Sequence, residues 1–179
     1  MYYIPSDDTF LLADYIRQYS GRWALEIGVG SGLLLSILEK NFDYVAGSDI
    51  DLRALQYSKQ RSSKRVLLVC CDAASAFFCC TGKFDLIVSN PPYLPDDYHV
   101  RDLTVHGGPK GIETTIHFVN SALPLLARDG KMLLVISSHS DSSALDNVVE
   151  KNNKKKLHKK VVGEKRLFYE TLSIVQLSV

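Results

Sequence analysis

The chain reads as an α/β domain built on a mostly parallel sheet, and three observations lead there. Short apolar runs rich in β-branched residues alternate with stretches of helical period, the pattern of strands joined by crossover helices. The first run, Trp23 to Ile27, passes straight into the glycine turn Gly28-Val29-Gly30-Ser31-Gly32 and then into the helix-like Leu33 to Leu38. An acid or amide stands at the end of each of four successive runs: Glu26, Asp49, Asp72 and Asn90. In a parallel sheet such positions share one edge, where open α/β folds bind their ligands.

Each element has its own justification. Asp7 to Tyr19 sets Phe10, Leu11, Leu12, Tyr15 and Ile16 near helical spacing, with Ser6 or Asp7 available as a cap. Residues 1–20 therefore form a helix that either packs plainly or lids the ligand crevice. The glycine turn has the spacing E-x-G-x-G-S-G, which differs from the dinucleotide fingerprint G-x-G-x-x-G. Gly28, Gly30 and Gly32 let the backbone approach a ligand closely and let helix pack on strand. Tyr44 to Ser48 is a second strand, ending in Asp49 about 20 residues past the turn, where a ribose-binding acid belongs. Asp51 to Arg61 is the next helix, and Val66 to Cys71 a third strand, apolar at nearly every position. Phe77 and Phe78 sit in a short connection as core residues. Phe84 to Ser89 is the fourth strand. Ile112 to Leu126 is helical, with Pro124 kinking its last turn. Lys131 to Ser137 is a fifth strand, Ser142 to Lys151 a covering helix, and Val161-Val162 with Leu167 to Leu177 a closing hairpin. At 179 residues and 46% hydrophobic, the chain can bury a full core as one domain, 1–179, with no repeat or linker.

The fourth strand runs into Asn90-Pro91-Pro92-Tyr93. Asn-Pro alone is a common turn signal. Two successive prolines, however, stiffen the backbone just past a strand end. There the Asn90 side-chain carbonyl and the Pro91 backbone carbonyl are two acceptors suited to a planar NH2 group. Tyr93 supplies a flat ring for packing on an amide or a base. An amide or adenine amino nitrogen is a poor nucleophile, and two acceptors can build charge on it as an electrophile approaches.

Several classes are disfavoured. A net charge of +1 gives no global field toward nucleic acid or membrane. No apolar run is long enough to span a bilayer and no signal-peptide pattern is present, which points to the cytoplasm, with the nucleus open as a second compartment. The four cysteines, Cys70-Cys71 and Cys79-Cys80, lack zinc-site spacing and read as small buried apolar residues, so no metal is expected in this chain. Leu94 to Gly111, about 18 residues with little periodicity, is long for a compact domain and reads as a mobile substrate-binding flap. Its His99 and His106 are more simply surface residues than acids or bases. The basic run Lys151 to Lys160 reads as a solvated loop, with contact to RNA as the sharper alternative.

Taken together, Glu26 to Gly32, Asp49, Asp72 and Asn90 to Tyr93 resemble the class I S-adenosylmethionine-dependent methyltransferases. Within these the chain is similar to the HemK-type protein-glutamine N5-methyltransferases, which modify the Gly-Gly-Gln loop of translation release factors. The resemblance spans the chain, from Pro5-Ser6-Asp7-Asp8-Thr9 through Gly107-Gly108-Pro109-Lys110-Gly111 to Glu170-Thr171-Leu172. The chain has no room for the extra helical domain of bacterial members. It is therefore similar to the short eukaryotic and archaeal branch, whose eukaryotic enzymes pair with a small zinc-binding activator. The resemblance implies a Rossmann-like fold with a seven-stranded sheet, helices on both faces and a C-terminal antiparallel hairpin. It implies S-adenosylmethionine as cofactor and S-adenosylhomocysteine (SAH) as product. Asp49 would hold the ribose, Glu26, Gly28, Gly30 and Gly32 the methionine end, and Thr9 the methionine carboxylate. Asp72 and Ala73 would meet the adenine. Asn90, Pro91, Pro92 and Tyr93 would be catalytic, Asn90 also touching the cofactor, and Asn90, Pro92, Tyr93, Gly107 and Gly108 would contact the substrate. The edge strand Val66 to Cys71, apolar and in need of cover, would be where the activator binds. Asp7-Asp8 and Lys110 depart from the family's usual residues. An adenine N6-methyltransferase, which uses the same tetrapeptide on a flipped base, is the alternative. A nicotinamide oxidoreductase fits the glycine spacing less well.

Overall fold

The structure is a computed structural model and describes residues 3–97, 102–152 and 157–179. Its elements are α1 (Asp7–Ile16), β1 (Gly21–Ile27), α2 (Leu33–Asn41), β2 (Phe42–Asp49), α3 (Leu52–Lys59), β3 (Leu67–Cys70) and β4 (Phe84–Ser89). The second half adds α4 (Glu113–Ala122), β5 (Leu126–Ser137), α5 (Ser143–Lys151), β6 (His158–Arg166) and β7 (Thr171–Ser178). They form one seven-stranded sheet in the order β3-β2-β1-β4-β5-β7-β6. The first five strands of that order pair in parallel, and β7 pairs antiparallel with both β5 and β6. The architecture is Rossmann-like, and strand order reverses between β1 and β4, the switch point where such sheets open a crevice.

Alternate residues of the central strands supply the two faces. Leu25, Ile27, Ile87, Met132 and Leu134 pack with Val119 and Ala122 of α4 and with Leu145 and Val148 of α5. Ala24, Leu86, Val88, Leu133 and Val135 pack with Leu12 and Ile16 of α1 and Leu34, Leu35 and Leu38 of α2. Burial on both faces explains why these strands read as continuous apolar runs.

Several boundaries differ from the sequence reading, each for a local reason. Helix α4 stops at Ala122, and Leu123–Leu125 is a separate 3₁₀ turn, because Pro124 has no N–H with which to continue the α-helix. Strand β5 begins at Leu126 rather than at Lys131. The polar stretch Arg128-Asp129-Gly130 hides its first half, where a register irregularity lies opposite Phe84 and a Cβ on Gly130 would come within 2.6 Å of the Phe84 carbonyl. Strand β6 starts at His158, inside the basic run, because a mostly exposed edge strand, partly buried at Val162 and Gly163, needs no regular apolar alternation. Lys154, Lys155 and Lys156 lie outside the described residues, as does His99. Phe77 is buried as expected, whereas Phe78 is 80% exposed. Cys70 and Cys79 are exposed rather than buried. Among the described residues no helix is long and apolar enough to cross a membrane.

Candidate active site

A cavity of about 260 Å³ opens at the carboxyl ends of β1 and β4. Its wall is made by Glu26, the glycine turn, Asn90 to Leu94, the first turn of α1, Thr104 and Val105, and Glu170 between β6 and β7. The crevice thus forms at the switch point, with Asp8 and Thr9 of α1 in its wall.

The glycine turn is fixed by backbone bonds to β2 and by one side-chain carboxylate. Gly28 and Val29 both donate to the Ser48 carbonyl, at 2.8 and 3.1 Å, tying the turn to β2. Gly28, Gly30 and Gly32 have φ of 78°, 50° and 77°, a region that glycine enters without strain. Gly32 also abuts α3, where an added Cβ would lie 2.7 Å from Ser58 Cβ. Asp49 accepts from the Gly30 N–H at 2.9 Å and from the Asp51 N–H at 2.9 Å, so it braces the turn. A carboxylate has about four lone-pair sites, which leaves acceptor capacity on Asp49, although neither Asp49 nor Gly32 itself lines the cavity.

Glu26 is 2% exposed, and its Oε2 has no hydrogen-bond partner. Burial pushes its carboxyl well above the usual carboxylate range; the Leu35 backbone N–H pulls it back and the Asp49 charge adds to the rise. A buried carboxyl with one free oxygen on a ligand cavity is a site for a cationic group.

Asn90 is held from one side only. Its Nδ2 donates to Thr9 Oγ1 at 3.1 Å, while its Oδ1 is buried without a partner. Tyr93 donates its phenol to Asp8 Oδ2 at 2.9 Å, and Ser140 Oγ donates to the Tyr93 carbonyl at 2.7 Å. Burial and the Asp8 charge push the Tyr93 phenol well above its ordinary range, so it stays a donor. Pro91 and Pro92 line the same wall. The arrangement leaves one buried amide oxygen without a partner in the cavity wall, beside a fixed aromatic ring.

Other expected residues stand apart from this cavity. Asp72 and Ala73 do not line it; Asp72 Oδ1 lies 2.8 Å from His117 Nε2 of α4, and Ala73 is buried with a φ of 46°. Gly107 and Gly108 are also outside its lining. They support the tetrapeptide instead: Gly107 donates to Leu94 O at 2.8 Å, Asp96 donates to Gly108 O at 2.9 Å, and a Cβ on Gly107 would meet the Pro92 carbonyl at 2.3 Å. Sequence reasoning missed Asp8, Tyr3, Thr104, Val105 and Glu170 as lining residues. Asp8 carried a signal, as an acid beside Thr9 at a helix start; Glu170 carried none, since it enters only through the antiparallel return of β7.

The comparisons with known proteins agree with this geometry. Residues 7–162 match the methyltransferase small domain family. A Methanocaldococcus jannaschii protein named as a protein N5-glutamine methyltransferase is 29% identical over 76% of this chain and 72% of its own length. The chain spans about half the length of bacterial release factor glutamine methyltransferases, 49% for that of Deinococcus radiodurans at 30% identity. In fold, it is similar to a chain of the E. cuniculi Mtq2–Trm112 complex, responsible for methylation of the eRF1 translation termination factor, with a TM-score of 0.77 at 22% identity over 99% of this chain and 98% of that one. It is also similar to a Streptococcus mutans protein solved in complex with SAH, with a TM-score of 0.67 at 17% identity over 98% of this chain and 99% of that one. With most of its length matched, a glycine turn at the switch point and an Asn-Pro-Pro-Tyr corner on the same cavity, the chain belongs to the methyltransferase small domain family.

Proposed function

We propose that the protein transfers a methyl group from S-adenosylmethionine to the side-chain amide nitrogen of a glutamine, the one in the Gly-Gly-Gln motif of a translation release factor. The observation that carries this reading is the bare Oδ1 of Asn90, buried in the cavity wall while Nδ2 of the same amide is already bonded. An unpartnered buried acceptor costs about 1–3 kcal/mol, and an incoming NH2 group removes that cost.

The residues present fit the cofactor. The free Glu26 Oε2 suits its ammonium group, and the turn from Gly28 to Gly32 gives side-chain-free backbone for close approach. Asp49 would accept from the ribose hydroxyls, and Asp72 with Ala73 would meet the adenine, all three beyond the residues that line the cavity. When bound, S-adenosylmethionine supplies a methyl group on a cationic sulfur, already electrophilic. Asn90 Oδ1 and the Pro91 carbonyl accept the two N–H bonds of the substrate amide and raise electron density on its nitrogen. Tyr93, fixed by Asp8, packs against that amide and limits its rotation. Most of the acceleration is then orientation and dipole placement. The carbon–sulfur bond breaks to leave the neutral thioether, and the methylated, cationic nitrogen then gives one proton to solvent water, so no strong base is needed before the transfer.

The reading extends to a partner. A small zinc-binding activator of the Trm112 type would cover β3, the edge strand of the sheet, and the pair would act in the cytoplasm. The test is transfer of labelled methyl from S-adenosylmethionine by the chain alone and by the co-purified pair. The acceptors are a class I release factor, the same factor with the Gly-Gly-Gln glutamine changed to asparagine, and duplex DNA. Label on the unmodified factor alone is expected; label on DNA would replace this acceptor with an adenine amino group.

A further inference from the structure

We propose that Asp8 and Thr9 are positioning residues that set the Asn90 amide and the Tyr93 ring for the incoming nitrogen; the inference rests on the glutamine reading of the site. Asp8 is 2% exposed, yet its carboxylate faces four donors. The phenols of Tyr3 and Tyr93 reach Oδ2 at 2.8 and 2.9 Å, and the Thr9 backbone N–H and hydroxyl reach Oδ1.

The direction of the bonds makes this a relay. An ionised carboxylate only accepts, so Thr9 must spend its one hydroxyl proton on Asp8. The Thr9 oxygen is then an acceptor, and the group of Asn90 that faces it at 3.1 Å must be the NH2. The Asn90 carbonyl oxygen is thereby left as the unpartnered acceptor of a residue that lines the cavity. With the amide flipped, Thr9 Oγ1 and Asn90 Oδ1 would be two acceptors competing for one proton already held by Asp8, and an NH2 group would meet the substrate NH2. Chemistry at the acceptor therefore depends on a donor–acceptor order that begins at Asp8. The same carboxylate holds the Tyr93 phenol, so one buried charge fixes both ends of Asn90-Pro91-Pro92-Tyr93.

This assigns Thr9 a different task from holding the methionine carboxylate, and the two can be separated. Thr9→Val removes the hydroxyl at nearly constant volume, and Thr9→Ser keeps it. Asp8→Asn keeps the shape but adds donors where only acceptors fit. For each variant, co-purified with the activator, we would measure kcat and KM on the release factor, SAH affinity by calorimetry, the melting temperature, and the side-chain amide NMR signals of Asn90.

Thr9→Val and Asp8→Asn should lower kcat by about a hundredfold, the scale of a misplaced reacting group. SAH affinity and melting temperature should hold in Thr9→Val, Thr9→Ser should recover the rate, and the Asn90 amide signals should move in Thr9→Val alone of the two threonine variants. A loss of SAH affinity in step with kcat would overturn the proposal in favour of a cofactor ligand, and an unchanged kcat would overturn it outright. Absence of transfer by the unsubstituted enzyme would instead sink the acceptor assignment. The Asn90 signals would still decide the relay, since unshifted signals in Thr9→Val would overturn it.

Discussion

At the scale of single residues, two buried polar atoms without partners, Glu26 Oε2 and Asn90 Oδ1, predict how the protein responds to ligand and to pH. Asn90→Ala removes an acceptor whose bond to the substrate amide strengthens as the nitrogen becomes charged. It should lower kcat by about a hundredfold or more while SAH affinity stays near that of the unsubstituted protein. Glu26 predicts the opposite split. Its folded value is raised by burial, so in the ligand-free protein its stability contribution is full below the unfolded carboxylate value and is lost as pH rises through the folded one. A bound ammonium group favours the ionised form, so binding expels the Glu26 proton. SAH affinity should rise with pH by up to about tenfold per unit until the ligand-free Glu26 has titrated, and Glu26→Gln should bind weakly with a flat profile. Calorimetry in two buffers of different ionisation enthalpy counts the released proton directly. A flat profile in the unsubstituted protein would remove Glu26 from the cofactor site.

At the scale of elements, the loop before α4 acts on the tetrapeptide through backbone contact. Gly107 sits where a Cβ would lie 2.3 Å from the Pro92 carbonyl, and the loop is pinned by Leu94 N–H to Val105 O at 2.9 Å and by Lys110 Nζ to Asp141 at 3.0 Å. Gly107→Ala must therefore push the Asn90 to Tyr93 backbone outward. It should cost about tenfold to a hundredfold in kcat with SAH affinity kept, as measured by single-turnover transfer. The same elements show what the sequence could and could not reveal. The strands β1, β2 and β4 were legible because burial on both faces leaves unbroken apolar runs, and the glycine turn and tetrapeptide were legible because their residue types are fixed by φ and by acceptor geometry. The first half of β5 and all of β6 but Val161-Val162 were obscured, since a register irregularity and an exposed edge each dispense with apolar alternation. Glu26, Asn90 and Tyr93 could be placed from chain position alone, whereas Glu170 and Val105 reach the cavity only through long-range pairing that no local pattern encodes.

At the scale of the whole molecule, the two ends of the sheet differ. Edge strand β6 is charged, with Lys159, Lys160, Lys165 and Arg166, a common protection against edge-to-edge association. Edge strand β3 is Leu67-Leu68-Val69-Cys70, with Leu67 58% exposed. Ile50 just after β2, Leu52 at the start of α3 and Phe78 after β3 are exposed as well. An unpaired apolar edge with exposed large side chains nearby is a template for association, and the proposed activator would cover it. The chain alone should then aggregate during concentration and become monodisperse when co-expressed with the activator. Leu67→Lys should make the isolated chain more soluble by charging the edge, and should at the same time abolish pairing with the activator. Leu67→Ala should keep the strand and weaken the pair by about 1–2 kcal/mol, or about tenfold in Kd, the value of one leucine side chain removed from water. Size-exclusion chromatography with light scattering measures the first effect and calorimetric titration of the pair the second. If the isolated chain is a stable monomer at high concentration and Leu67→Lys still binds the activator, the partner sits elsewhere, and the apolar edge needs another explanation.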